Sequence, residues 1–203
     1  MVRILLLGLL LPTLAWAQIG EVDPVQSADN PLVLGQNPVN FSSEEGDFRV
    51  TFPSGCGKTV TRVPSEDPPD VDGVPAIRVV ASFCDRNQEK GEGCSVTSYF
   101  NVTNAEGGYP GSDQVVERVV RALETMKVSI RKQTHLRREL PDGTIIEGLD
   151  VFASDEAGVG QTWVRGLLHE GDIFILSAWK STGGLWDDPS YITFFNSFQP
   201  GAK

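Results

Sequence analysis

Residues 52–59 read FPSGCGKT. With glycine in place of Phe52 they would match the phosphate-binding loop G-x-x-x-x-G-K-[ST], whose backbone amides and lysine hold nucleotide phosphates at a helix N-terminus. Two features exclude that chemistry. Phe52 alternates with Phe48 and Val50 in FRVTF, so it is the inward end of a strand. After Lys58 and Thr59 comes VTRVPSEDPPD, β-branched and then proline-rich, where no helix can start. The stretch is expected to be a turn between two strands.

Three cysteines follow, Cys56, Cys84 and Cys94, an odd number with no CxxC pair to suggest zinc. If the loop 65–75 joins strands at 58–64 and 76–84, Cys56 comes opposite Cys84, and the next hairpin brings Cys84 toward Cys94. Closing the shorter loop is worth about 2.8 kcal/mol and the longer about 3.6, which does not separate them. The pairing Cys84–Cys94 is preferred slightly because it staples the polar loop DRNQEKGEG. A thiol-redox role would need a lysine, histidine or helix start beside one cysteine, and none is evident.

Only two histidines are present. His169-Glu170-Gly171-Asp172 forms a hairpin tip, where a metal would lack a second strong ligand. His135 lies among Lys127, Arg131, Lys132, Arg137 and Arg138. In an acidic chain this is a local positive patch. It reads either as an edge strand protected by charge or as a docking site for an acidic envelope protein or an anionic glycan. A hydrolase using His135 or His169 with nearby carboxylates is the enzymatic alternative, but no GxSxG or similar signature accompanies either residue. No cofactor motif survives inspection.

The chain starts MVRILLLGLLLPTLAWAQIG: a basic residue, a short apolar core and the small-x-small site Ala15-Trp16-Ala17. It is expected to be an export leader, residues 1–17, cleaved near Ala17. Its removal takes Arg3 and no acid, so the formal charge moves from −10 to −11. A surface this acidic repels nucleic acid and anionic membrane. No transmembrane anchor is expected, and the product is a soluble protein of the periplasm or the medium. Residues 18–46, with Pro24, Pro31 and Pro38 each after an Asp or Asn, read as an extended linker. Residues 47–199 read as one domain, and 200–203 as a tail.

Around these residues the elements are legible. FRVTF, KTVTRV (58–63), IRVVASFC (77–84) and CSVTSYFNV (94–102) are strand-like. Residues 113–127 form an amphipathic helix with Val115, Val116, Val119, Val120, Leu123 and Met126 on one stripe and Ser112 or Asp113 capping. Two strands, 129–138 and 144–153, flank the turn LPDGT. QTWVRGLLH and DIFILSAWK form a hairpin around Glu170-Gly171 that sets His169 opposite Asp172. Trp163, Leu167, Phe174, Leu176 and Ala178 then share one face, and Val164, Leu168, Ile173, Ile175 and Trp179 the other. With both faces apolar, this hairpin must lie centrally and be covered on both sides. The last helix, DPSYITFFNSF, has Asp188 as cap, Pro189 at its first position and the stripe Tyr191, Phe194, Phe195, Phe198. The expected fold is α+β: an antiparallel sheet of about seven or eight strands with helices packed on it.

FRVTFP opening the domain, a mid-chain helix after a Tyr-Pro loop, the meander ending RGLLHEGDIFILSAW and the final FFNSFQP together resemble the PsbP-like α/β/α sandwich, over about residues 46–199. The resemblance rests on element order and the two ends. It implies a scaffold for binding: one branch serves photosystem assembly and another binds a nuclear GTPase. It carries no catalytic residue. The resulting expectation is an exported, non-enzymatic binding or assembly module of the cell envelope.

Overall fold

The protein is described from a computed structural model that covers residues 37–56, 59–62, 77–87, 89–102, 110–140 and 143–201. The leader, the linker up to residue 36 and the loop 64–75 lie outside the described residues. Among the described residues twelve elements follow one another: β1 (Val39–Ser43), β2 (Phe48–Phe52), β3 (Thr59–Arg62), β4 (Arg78–Asn87), β5 (Glu92–Phe100), α1 (Ser112–Met126), β6 (Ser129–Glu139), β7 (Ile145–Ser154), β8 (Gln161–His169), β9 (Asp172–Lys180), α2 (Pro189–Ser197) and β10 (Gln199–Pro200).

Seven strands form one antiparallel sheet in the order β3-β4-β5-β9-β8-β7-β6, and three form a small sheet in the order β1-β2-β10. The β8–β9 hairpin pairs as its alternation requires, with His169 opposite Asp172, and β9 holds the middle of the large sheet. Each of its faces is buried in a different core. Trp163, Leu167, Phe174, Leu176 and Ala178 enter one cluster with Phe48, Phe52 and the α2 aromatics. Val164, Ile173 and Ile175 enter the other, with Leu168 packed on it, under Val115, Val119 and Leu123 of α1. The layers are therefore α1, the large sheet, and the small sheet with α2.

Local chemistry explains the two helices. Asp188 accepts the amide of Ser190 at the start of α2, and Tyr191, Phe194, Phe195 and Phe198 are fully buried. Phe195 stacks on Trp163 at 4.0 Å, and Phe194 on Phe52 at 5.6 Å, so one helix joins both sheets. Helix α1 is capped by Gly111, not by Ser112 or Asp113; the Gln114 carboxamide oxygen accepts the Gly111 amide at 2.6 Å. Its buried stripe is narrower than its apolar one: Val115, Val119 and Leu123 face the sheet, while Val116 and Val120 are exposed. Gly166 on β8 allows the close seat, since a Cβ there would lie 2.6 Å from Val115 and from Val119.

Other expectations are corrected. The chain enters the fold earlier than residue 47: β1, placed in the linker by sequence, pairs with β2 because Phe41 packs on Phe48 and Phe52. Pro200 is not tail but pairs with Phe48 in the small sheet. The expected antiparallel sheet has seven strands, and among the described residues a second sheet of three strands, β1-β2-β10, packs over it. The disulfide is Cys56–Cys84, and Cys94 is a buried free thiol. Cys84 and Cys94 are register partners, side by side on one sheet face. Cys56 instead leaves β2 in the overlying small sheet and meets Cys84 from above, so the bond ties two layers. The expected register was also displaced: Thr59, not Cys56, faces Cys84 across the ladder.

Candidate functional site

Phe52 is fully buried at the end of β2 and Thr59 opens a strand, where a phosphate loop would need a glycine and a helix; Gly57 and Lys58 lie outside the described residues. Thiol chemistry is also poorly served. Cys94 is wholly buried, and that burial pushes its thiol well above the ordinary value, against a smaller opposing pull from Arg86. Among the described residues, no group of three His, Cys, Asp or Glu could hold a metal ion. His169 sits at its hairpin tip, 4.0 Å from the exposed Glu170.

The basic residues at 127–138 gather on and beside β6, the terminal strand of the large sheet. Every residue of β6 is exposed except Leu136 and Arg138, which are half buried. Strand alternation divides the patch between two faces. Gln133, His135 and Arg137 oppose Val151, Leu149 and Glu147, on the α1 side. Lys132, Thr134, Leu136 and Arg138 oppose Phe152, Asp150, Gly148 and Ile146, on the α2 side. A bulge between Ile130 and Lys132 sets Arg131 apart.

The six basic positions differ in what holds them. Arg138 donates to the carbonyls of Asn196 and Phe198 at 2.7 and 3.0 Å, at the C-terminal end of α2. Burial first, and then the nearby Arg165 charge, lowers its guanidinium from the usual value. Arg131 donates to Ser154 Oγ at 2.6 Å and to the Asp155 carbonyl. Lys132 lies over the Phe152 ring. Lys127 ends α1 in the left-handed region, with its side chain exposed. Arg137 approaches Glu147 at 3.7 Å, both about 70% exposed, a pair of little energetic weight. His135 is exposed.

Beside them runs a groove of about 480 Å³ between the first turns of α1 and the ends of β6, β7 and β8. Ser112, Val115 and Val116 form one wall; Gly148, Leu149 and Leu168 form the floor; His135, Leu136, Arg137 and Glu147 form the other wall. This volume is in the range of small-ligand sites. Ser112, His135 and Glu147 share the groove, but no hydrogen bond joins them among the described residues. A hydroxyl nucleophile needs a base within that reach. The arrangement is a groove with an apolar floor and a wall that carries His135, Arg137 and the acid Glu147.

Two charged groups escape a reading of the sequence. Arg165 on β8 is 4% exposed and holds both oxygens of Asp150 at 2.7 and 2.8 Å, with a third bond to the Phe195 carbonyl. The available signal was an arginine inside the otherwise apolar TWVRGLL. Near the disulfide, Arg86 reaches Asp188 at 3.5 Å and Ser190 Oγ at 3.3 Å, and Lys180 reaches Glu92 and Asp188. Arg86 and Glu92, with Ser54, Gly55 and Asn87, line a shallow hollow of about 360 Å³. Its charges cancel in pairs. Beneath it the buried Tyr191 hydroxyl lies close to Arg86 without a well-formed hydrogen bond.

No family model matches the chain, and no curated protein matches it. Among solved structures, cyanobacterial PsbP (CyanoP) from Synechocystis sp. PCC 6803 is similar in layout. It has 13% sequence identity and a TM-score of 0.47, and the match covers 86% of this chain and 98% of that one. The architecture itself is α+β, with α1 on one face of the seven-stranded antiparallel sheet and the three-stranded sheet with α2 on the other. No helix among the described residues is long and apolar enough to cross a membrane.

Proposed function

We propose that this chain is an exported, non-enzymatic binding or assembly module of the cell envelope, with β6 and its adjoining groove as the docking surface. The observation that carries the reading is the outer side of β6. In a chain with a formal charge of −10, His135 and Arg137 stand exposed and lightly held beside an apolar floor, and Lys127 is exposed at the opposite end of α1. Such a patch steers and orients an acidic partner. Export is supported by the expected leader and by a disulfide, which persists in oxidising compartments. The partner is an acidic envelope protein, with an anionic glycan as the alternative outcome of the test.

The test is affinity capture from envelope extract with wild type and with Lys127→Glu/Arg137→Glu. These residues are chosen because Arg131 and Arg138 bond internally. Loss of captured partners with unchanged circular dichroism and unfolding midpoint is expected. Recovery of the same partners by the reversed variant would overturn the reading. Capture of polysaccharide in place of protein would reassign the partner to a glycan.

A further inference from the structure

The large sheet ends at β6, so one side of an eleven-residue strand has no neighbouring strand among the described residues. That is about twice the usual strand length. An open edge of this kind presents alternate amides and carbonyls outward, a template for another chain. The side chains decide which chain fits. Pairing β6 with its own copy, antiparallel and centred on His135, sets Lys132 opposite Arg138. Like charges directly opposite are destabilising, and the one opposed pair of unlike sign, Arg131 with Glu139, only offsets them, so self-pairing gains no net charge complementarity.

The two faces of the edge make different demands. On the α1 side an added strand would run beside Gln133, His135 and Arg137, within the roughly 5 Å that joins cross-strand neighbours, with Glu139 only at the end of the strand. Acidic side chains are favoured there. On the α2 side Lys132 lies over the Phe152 ring and Arg138 is held by the α2 carbonyls, which leaves the strand running beside Thr134 and Leu136, and Leu136 with Phe152 is a half-covered hydrophobic on the rim of the main core. Aliphatic side chains extend that rim. We infer that β6 takes up an extended partner segment as an additional strand, with acidic residues alternating with aliphatic ones.

This inference rests on the docking reading above and specifies its mode. Main-chain hydrogen bonds supply affinity in strand addition, and alternate side chains supply selection. A probe is the peptide (Glu-Val)4, with (Lys-Val)4 as its charge-inverted control. Two N-methylated versions of the acidic peptide, methylated on every Glu or on every Val, remove amides of one parity at a time. In a paired strand only one parity faces the sheet.

Binding to the intact wild-type protein is measured by calorimetry. One methylated peptide is expected to bind within about twofold of the parent, and the other at least tenfold more weakly, about 1.4 kcal/mol. On binding the parent, hydrogen exchange should slow at alternate amides of β6. If the two methylated peptides bind alike, strand addition is wrong while docking can stand. If Arg137→Glu binds (Glu-Val)4 as tightly as wild type, or if (Lys-Val)4 binds equally well, the docking reading fails with it.

Discussion

Arg165 holds Asp150 through two parallel hydrogen bonds, Nε to Oδ1 at 2.7 Å and Nη2 to Oδ2 at 2.8 Å, inside the interface between the large sheet and α2. The same carboxylate accepts the Trp163 indole at 3.0 Å, and the remaining Arg165 Nη1 donates to the Phe195 carbonyl. Neighbouring strands thus supply a buried ion pair that also anchors the last turn of a helix lacking any basic residue in that turn. A cation at a helix C-terminus is favoured by the helix dipole.

Removing one partner leaves a buried charge uncompensated. Arg165→Met should lower stability by about 3–5 kcal/mol in urea unfolding. Adding Asp150→Leu should recover part of that loss, because the orphaned carboxylate goes too. A double variant less stable than Arg165→Met would show that Asp150 acts through other bonds.

Arg137 and Arg138 adjoin in sequence yet should part in behaviour. Arg138→Gln removes the guanidinium from the Asn196 and Phe198 carbonyls and should cost about 1–2 kcal/mol. Arg137→Gln breaks only an exposed pair and should change stability by less than about 0.5 kcal/mol. Thermal unfolding of the two variants checks the contrast.

Gly166 fixes the distance of α1 from the sheet. Gly166→Ala places a methyl 2.6 Å from Val115 and Val119, so α1 must shift. A loss of about 1–3 kcal/mol is expected, with faster amide exchange in α1 than in α2.

Asp188 should make stability sensitive to acid. Burial alone would raise its carboxyl, but hydrogen bonds from Ser190 and the charges of Arg86 and Lys180 hold it below the usual value. A group lowered by folding stabilises above its unfolded pKa, near 4, and that contribution is lost as pH falls through the folded value. Asp188→Asn keeps a capping side chain and loses the charge. Its stability deficit should therefore be present at pH 7 and shrink toward about pH 3. An equal deficit at both values would assign the effect to shape alone.

Cys94 should be silent in the native state. Burial raises its thiol, so iodoacetamide at about pH 8 should leave it unlabelled until urea is added. Peptide mapping should find Cys56 bonded to Cys84. Rapid native labelling would reopen thiol chemistry.

What the chain determines by itself is whatever repeats over a few residues. Period two in TWVRGLL and DIFILSAW sorts each side chain to one of two cores, and the spacing of Tyr191, Phe194, Phe195 and Phe198 makes one buried stripe on α2. The acidic charge and the basic run at 127–138 are equally plain in composition. What tertiary structure decided are relations between residues far apart in the chain. Cys84 had two possible partners, and only the stacking of the small sheet over the large one selected Cys56. Arg165 and Asp150 stand fifteen positions apart and meet only because β7 and β8 pair in one register. Arg137 and Arg138 look alike in sequence, but strand alternation turns one to an open groove and the other to the end of α2, because a pleated strand sends successive side chains to opposite faces.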